Sequence, residues 1–134
     1  MDTSADLFDE LFTQVRTAAG RFGHREHLEL AWLAVRRVGL REAVALVAEG
    51  IRRTATAAGA PEKFHATMTR AWVELVARHA DAPDFDTVLA AHPELLDQQL
   101  LHRHYTPETL ASPGARAYWV EPDLAPLPGR TPRV

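Results

Sequence analysis

The 134-residue sequence contains no cysteine. Disulfides, thiolate metal sites, iron–sulfur clusters and cysteine nucleophiles are therefore excluded, and any metal ion must be bound by nitrogen or oxygen donors. No stretch of about 18 apolar residues occurs, which argues against a membrane-spanning helix. The first twenty residues carry acidic side chains where a signal peptide carries positive charge. From these absences we expect a cytoplasmic protein with no membrane partner.

Other absences narrow the chemistry further. The sequence has no glycine-rich phosphate loop, no dinucleotide-binding fingerprint and no Gly-x-Ser-x-Gly elbow. Serine is scarce, and Ser4 and Ser112 both stand beside expected helix starts, where capping explains them. Fourteen of the fifteen basic residues are arginine, but they alternate with acidic residues and the net charge is -3. We therefore expect no nucleic-acid partner.

The hydrophobic residues indicate the fold class. They make up 46% of the chain, which is enough for the core of one domain, residues 1–134. Their helical spacing predicts an all-α, single-domain helical bundle with four main helices. The first is an N-terminal amphipathic helix within residues 1–20. Three core helices follow within residues 22–79, and the last of them is expected to begin at Pro61, where a missing N–H is tolerated.

Proline changes the pattern in the rest of the chain, because eight of the nine prolines lie after residue 80. They divide residues 80–120 into short helices joined by turns. Residues 121–134 are expected to form an extended, proline-rich tail over the bundle. Leu124 and Leu127 are its predicted anchors.

Three histidines form the main candidate site. His24 and His27 are three residues apart at the start of the second helix, so their side chains are neighbours on one face. His65, expected one turn inside the fourth helix, joins them if the second and fourth helices are parallel neighbours. Three imidazoles suit a divalent transition metal such as zinc, copper or iron. We therefore predict a metal site formed by these residues at one end of the bundle, with open positions for a small-molecule substrate.

Two other functions fit the same residues. In one, the protein binds a small molecule without a metal, and a histidine pair in an apolar pocket binds an anion or acts as a general base. In the other, the protein is a helical interaction module whose proline-rich tail docks on a partner. A homodimer is compatible with each, and the sequence leaves open whether the protein is an enzyme.

The remaining histidines form weaker patterns. His79 lies at the C-terminal end of the fourth helix, where the helix dipole explains it, and His92 precedes a proline in a turn. His102 and His104 precede Tyr105 at a helix end, and this segment could cover a pocket as a hydrogen-bond donor or a fourth ligand.

Some neighbouring residues could assist the histidines. Glu26 and Glu29 could orient an imidazole through its second nitrogen, although a solvated helix face is the simpler explanation. Thr67 and Thr69 could donate to a substrate or bond back to the helix. Trp72 is expected in the core.

Two histidine motifs and a closing segment resemble a group of small uncharacterised bacterial all-helical proteins. The motifs are aromatic-x-His-x-x-His-Leu at residues 22–28 and aromatic-His-x-Thr-x-Thr at residues 64–69, and the closing segment, residues 112–124, ends in Pro-Asp-Leu. The resemblance implies one functional set, consisting of His24, His27, His65, Thr69, Arg116 and Asp123. We assign catalytic roles within it to His65, Thr69 and Arg116, although the resemblance implies no reaction.

Overall fold

The computed structural model describes residues 3–129, in which every regular element is helical. The all-α, single-domain fold class is thereby confirmed. The four main helices are α1 (Thr3–Ala19), α2 (His24–Val38), α3 (Leu40–Ala57) and α4 (Ala66–Ala77). They pack against one another around a single apolar core. None of the described helices has both the length and the apolar character that crossing a membrane requires.

Glycine in a left-handed conformation ends the first two helices. Gly20 has a φ of 75° and Gly39 a φ of 85°, values that side chains with a Cβ rarely adopt. Gly39 still donates its N–H to Val35 O at 2.8 Å, which completes the last turn of α2. Because α3 begins at the next residue, α2 and α3 form the tight hairpin that the sequence predicts.

The start of α4 differs from the sequence prediction. Pro61–Lys63 form a single 3₁₀ turn, and α4 begins only at Ala66. His65 has extended backbone angles and is the N-cap of α4, because its Nδ1 accepts a hydrogen bond from Met68 N–H at 3.1 Å. The expectation that His65 lies one turn inside the helix is therefore wrong.

The chain between residues 85 and 117 consists of short helical segments, as predicted. They are α5 (Phe85–Ala91), two 3₁₀ segments (Pro93–Leu96 and Gln98–Arg103), α6 (Pro107–Ala111) and α7 (Pro113–Ala117). The sequence did not lead us to expect α7, which packs against α4.

The segment after α7 crosses back over the bundle without helical structure through residue 129. Its anchor is Leu127, which is 1% exposed, whereas Leu124 is 57% exposed and its predicted role as an anchor is wrong. The backbone of Leu124 nevertheless contributes, since its N–H donates to His104 O at 3.0 Å. Residues 130–134 of the predicted tail lie outside the described residues.

Thr67 ties this segment to α4. Its hydroxyl is fully buried, donates to Tyr118 O at 2.9 Å and accepts from Val120 N–H at 3.1 Å. Tyr105 adds a third bond by donating its hydroxyl to Val120 O at 2.7 Å. Thr67 therefore joins α4 to residues 118–120, and its hydroxyl is not available to a substrate.

A close approach at Gly50 positions α1 on α3. A Cβ built on Gly50 falls well inside van der Waals contact with the ring of Phe8. Phe8 is 2% exposed and belongs to the core. Only a residue without a side chain allows the Phe8 ring to lie flat against α3 at this point.

Candidate functional site

A cavity of about 200 Å³ lies where the first two turns of α2, the middle of α3 and the first two turns of α4 meet. Its walls are mainly apolar, and they come from α2, α3 and α4, with Ala31, Ile51 and Trp72 as examples. The polar residues that line it are His24, His27, Lys63, His65 and Thr69. The structure thus brings together the three candidate histidines and Thr69. Trp72, expected in the core, is a half-buried wall of this cavity.

His65 uses both of its ring nitrogens within the protein. Nδ1 accepts the capping hydrogen bond from Met68 N–H, and Nε2 lies 2.7 Å from Leu110 O. Because a carbonyl only accepts, the proton must be on Nε2, and the lone pair on Nδ1 is already engaged. The 8% exposed ring therefore joins the start of α4 to α6 and offers no nitrogen to a ligand.

His24 stands at the first position of α2 with one nitrogen engaged. Its Nε2 donates to Leu95 O at 2.9 Å, and its ring meets the Trp72 ring edge-on with centroids 4.7 Å apart. In the neutral form of His24 the lone pair is consequently on Nδ1. This half-buried ring is held firmly in the wall of the cavity.

His27 has the opposite arrangement of nitrogens. Its Nδ1 donates to Gly23 O at 2.9 Å, which leaves the lone pair on Nε2. The ring packs edge-on against Phe22, with centroids 4.6 Å apart. Although part of the ring is exposed to solvent, desolvation by the atoms around it lowers the pKa of His27, and the nearby His24 adds to this effect. The bond to Gly23 O and the charge of Glu26 act in the opposite direction.

The predicted metal site is not assembled in this part of the chain. Between residues 3 and 129, no group of three or more His, Asp or Glu side chains is arranged to hold a metal ion. The physical reason is the engagement of His65, whose two nitrogens bind Met68 and Leu110. His24 and His27 each keep one free nitrogen, but two ligands alone rarely form a metal site.

Glu26 and Glu29 have structural partners. Glu26 is 2% exposed and accepts a hydrogen bond from Gly23 N–H at 2.8 Å, so it caps the start of α2. Glu29 accepts from the Arg25 guanidinium at 2.8 Å. These contacts account for both carboxylates without an imidazole.

Arg116 and Asp123 lie apart from the cavity, whose lining includes neither of them. The Arg116 guanidinium donates to Glu62 O and thereby ties α7 to the turn before α4. Asp123 accepts three hydrogen bonds, from Thr106 N–H at 3.0 Å and from the hydroxyls of Thr106 and Thr109 at 2.7 and 2.8 Å. These bonds lower the pKa of the Asp123 carboxyl and brace the start of α6. Of the functional set implied by the resemblance, the three histidines and Thr69 line the cavity, whereas Arg116 and Asp123 form structural hydrogen bonds outside its lining.

The other histidines have positions of their own. His104 is 9% exposed and donates from Nδ1 to Ala125 O at 3.0 Å, so it fastens the C-terminal segment, whereas His102 is exposed. His79 and His92 stack on each other with ring centroids 4.0 Å apart, a pairing that the sequence did not indicate. Desolvation, followed by the charge of His92, lowers the pKa of His79.

Lys63 is the cavity residue that sequence reasoning missed. It is the only lysine among the 134 residues, and it lies two positions before His65. Its side chain is exposed yet lines the cavity, so it stands at the opening. The signal that could have found it was the single lysine in a chain whose other basic residues are all arginine.

The chain matches no known protein family, no curated protein and no solved structure. The resemblance of the two histidine motifs to small bacterial proteins therefore adds no function. What the protein does must be inferred from the cavity and the side chains around it.

Proposed function

We propose that the protein binds a small, largely apolar molecule in the cavity between α2, α3 and α4, and that His24 and His27 supply polar contacts. The observation that carries this proposal is the combination of apolar walls from three helices with two imidazoles that each keep one unengaged nitrogen. Ligand sites are typically concave and mostly apolar, with a few placed polar groups.

The size of the cavity limits the ligand. A volume of about 200 Å³ is smaller than the roughly 300–1,000 Å³ of sites for drug-sized molecules. The part of the ligand that enters the cavity should therefore be smaller than a drug-sized molecule, on the order of one ring with a small substituent.

The two imidazoles decide which polar contacts the ligand can make. Because the pKa of His27 is lowered, its ring is mostly neutral at pH 7 and its Nε2 is a hydrogen-bond acceptor. A neutral imidazole of this kind can also accept a proton from a ligand, so His27 is suited to act as a general base at the same site. The metal-dependent enzyme remains a prediction. A metal ion bound by His24 and His27 would need a substrate or water molecules as its other ligands.

The interaction module has less support. Leu127 is buried in the protein's own core, and the backbone of the C-terminal segment bonds to His104. These groups are therefore occupied within the chain. A homodimer likewise stays a prediction.

The binding proposal can be tested by filling the cavity. Ala31→Leu adds three carbon atoms at a wall residue, whereas Ala18→Leu adds the same atoms at an exposed position of α1. In a thermal-shift screen of small ring compounds, we expect stabilising ligands for the wild type and Ala18→Leu, but not for Ala31→Leu. Ligands that stabilise all three equally would contradict the proposed site.

The metal alternative is tested in the same assay. Zinc, copper or iron is added to protein purified without a histidine tag. An increase in melting temperature that saturates at one metal ion per chain, and that His24→Gln and His27→Gln both abolish, would favour the metal site. Without such an increase, the metal-free site is favoured.

A further inference from the structure

The structure points to a ligand class for this cavity. We infer that the ligand is a small monocarboxylic acid whose carboxylate lies beside Lys63 and whose apolar body fills the space between α2 and α4. This inference rests on the proposed binding function and adds the charge and chemical type of the ligand.

The first argument is the free charge of Lys63. Some arginines are paired, for example Arg25 with Asp86 at 2.6 Å and Arg70 with Glu74 at 2.8 Å. Lys63 has no ion-pair partner among the described residues. It therefore presents an uncompensated ammonium group, with up to three donors, at the opening of an apolar cavity.

The second argument is the sign of the other charges around the cavity. Within residues 3–129, none of the side chains that line it is acidic. On α2, the Glu26 carboxylate accepts from Gly23 N–H and lies 3.8 Å from Arg21 and 3.9 Å from Arg25. A cationic ligand would find no counter-ion here and would be repelled by Lys63, whereas an anion would be attracted.

The third argument concerns the hydroxyl of Thr69. Thr69 is half-buried, lines the cavity and lies on the first turns of α4, close in sequence to Lys63. No hydrogen bond of its side chain is formed with the described residues, in contrast to Thr67 on the same helix. Its hydroxyl is therefore a second donor for a carboxylate oxygen.

The fourth argument favours a single negative charge on an apolar body. Most of the cavity wall is hydrocarbon from Leu28, Val47, Met68 and Val73. A phosphate or a dicarboxylate would place a second charge against this wall, where desolvation is costly and where the described lining residues include no second lysine or arginine. The carboxylate needs only Lys63 and Thr69, and the ring or branched chain covers the apolar wall. A hydroxyl on that ring or chain would donate to the free nitrogen of His24 or His27.

A matched series of probes tests the inference. Benzoate, benzamide and benzylamine have similar shapes and carry negative, zero and positive charge. Because Lys63 is the only lysine, reductive methylation with ¹³C-formaldehyde labels its side chain as a single lysine resonance beside that of the N-terminus. We expect benzoate to shift this resonance in a saturable manner, and benzamide and benzylamine to bind at least about threefold more weakly.

Variants separate charge from packing. Lys63→Met should weaken benzoate binding about 3- to 10-fold and leave benzamide binding unchanged, while Lys63→Arg should restore most of the affinity for benzoate. Arg103→Met, which removes the same charge at an exposed position, should have no effect. Thermal shift or calorimetry measures all of these affinities.

The outcomes distinguish this inference from the proposed function. If benzamide or benzylamine binds as tightly as benzoate, or if Lys63→Met leaves benzoate binding unchanged, the ligand class is wrong while the cavity remains a binding site. Inorganic phosphate that binds as tightly as benzoate would also overturn the ligand class. If no member of the series binds, the ligand class is wrong, and the screen of small ring compounds with Ala31→Leu decides the proposed function.

Discussion

Replacing His65 by alanine tests whether this histidine is a structural group. The substitution removes two bonds at once, the capping bond from Met68 N–H and the bond to Leu110 O. His65→Asn is the matched variant, because asparagine is a strong N-cap acceptor but cannot reach Leu110. The two variants therefore separate capping from the tie between α4 and α6.

The expected cost follows from these contacts. Loss of an N-cap costs about 1 kcal/mol. Leaving the buried carbonyl of Leu110 without its donor costs about 1–3 kcal/mol. His65→Ala should therefore lower the free energy of unfolding by about 2–4 kcal/mol and His65→Asn by about 1–3 kcal/mol. At roughly 3–4 °C per kcal/mol for a chain of this size, the melting temperature of His65→Ala falls by roughly 6–16 °C.

Urea unfolding and calorimetry measure these differences, and ¹⁵N chemical shifts of the imidazoles test the cause. The hydrogen bonds assign the proton of His65 to Nε2 and that of His27 to Nδ1, so the two rings should show opposite tautomers. If His65→Ala were as stable as the wild type, or if His65 carried its proton on Nδ1, the structural role assigned to it would be refuted.

Three further predictions concern packing, buried polar groups and pH. Gly50→Ala should lower the free energy of unfolding by about 1–3 kcal/mol, because the added methyl group overlaps the Phe8 ring. Urea unfolding measures this decrease. Thr67→Val should lower the free energy of unfolding by about 1–3 kcal/mol, since the Tyr118 carbonyl and the Val120 N–H both lose the buried Thr67 hydroxyl as a partner. The pKa values of His27 and His79 are lowered in the folded protein, so the unfolded chain binds more protons as the pH falls below about 6.5. The free energy of unfolding should therefore decrease on acidification. Replacing either histidine by glutamine should make this decrease smaller.

Matched variants control these measurements. Gly114→Ala adds a methyl group where nothing lies within 4 Å and should be nearly neutral. Thr69→Val removes a hydroxyl that forms no bond with the described residues. His102→Gln changes an exposed histidine and is the matched control for the two histidine variants. Equal effects of a test variant and its control would contradict the reasoning in each case.

The arrangement of the main helices was predictable because its signals are local. Gly20 and Gly39 end helices through their own backbone conformation, and apolar residues at helical spacing define the faces that pack. The start of α4 was not predictable in this way. Pro61 is as suitable for a 3₁₀ turn as for an α-helix, and only the capping bond of His65 decides where α4 begins.

The candidate site was predictable where its signals are local. The spacing within α2 places His24 and His27 on one face, and the α2–α3 hairpin brings α4 back beside α2. The engagement of His65 depends on Leu110, which is 45 residues away in sequence, and no local pattern encodes that partner. Asp123 was also misplaced, because the resemblance grouped it with the histidines while its actual partners, Thr106 and Thr109, lie on another segment.

The bond between Thr67 and Tyr118 has a consequence for synthesis of the chain. The two residues are 51 positions apart, so at about 5–20 residues per second a ribosome adds Tyr118 some 3–10 s after Thr67. During that interval α4 lacks the segment that covers it, and Leu127 has yet to enter the core. The core around α4 therefore remains uncovered until residues 118–127 have been added, and during this interval the nascent helices are more exposed to proteases and aggregation than in the folded protein.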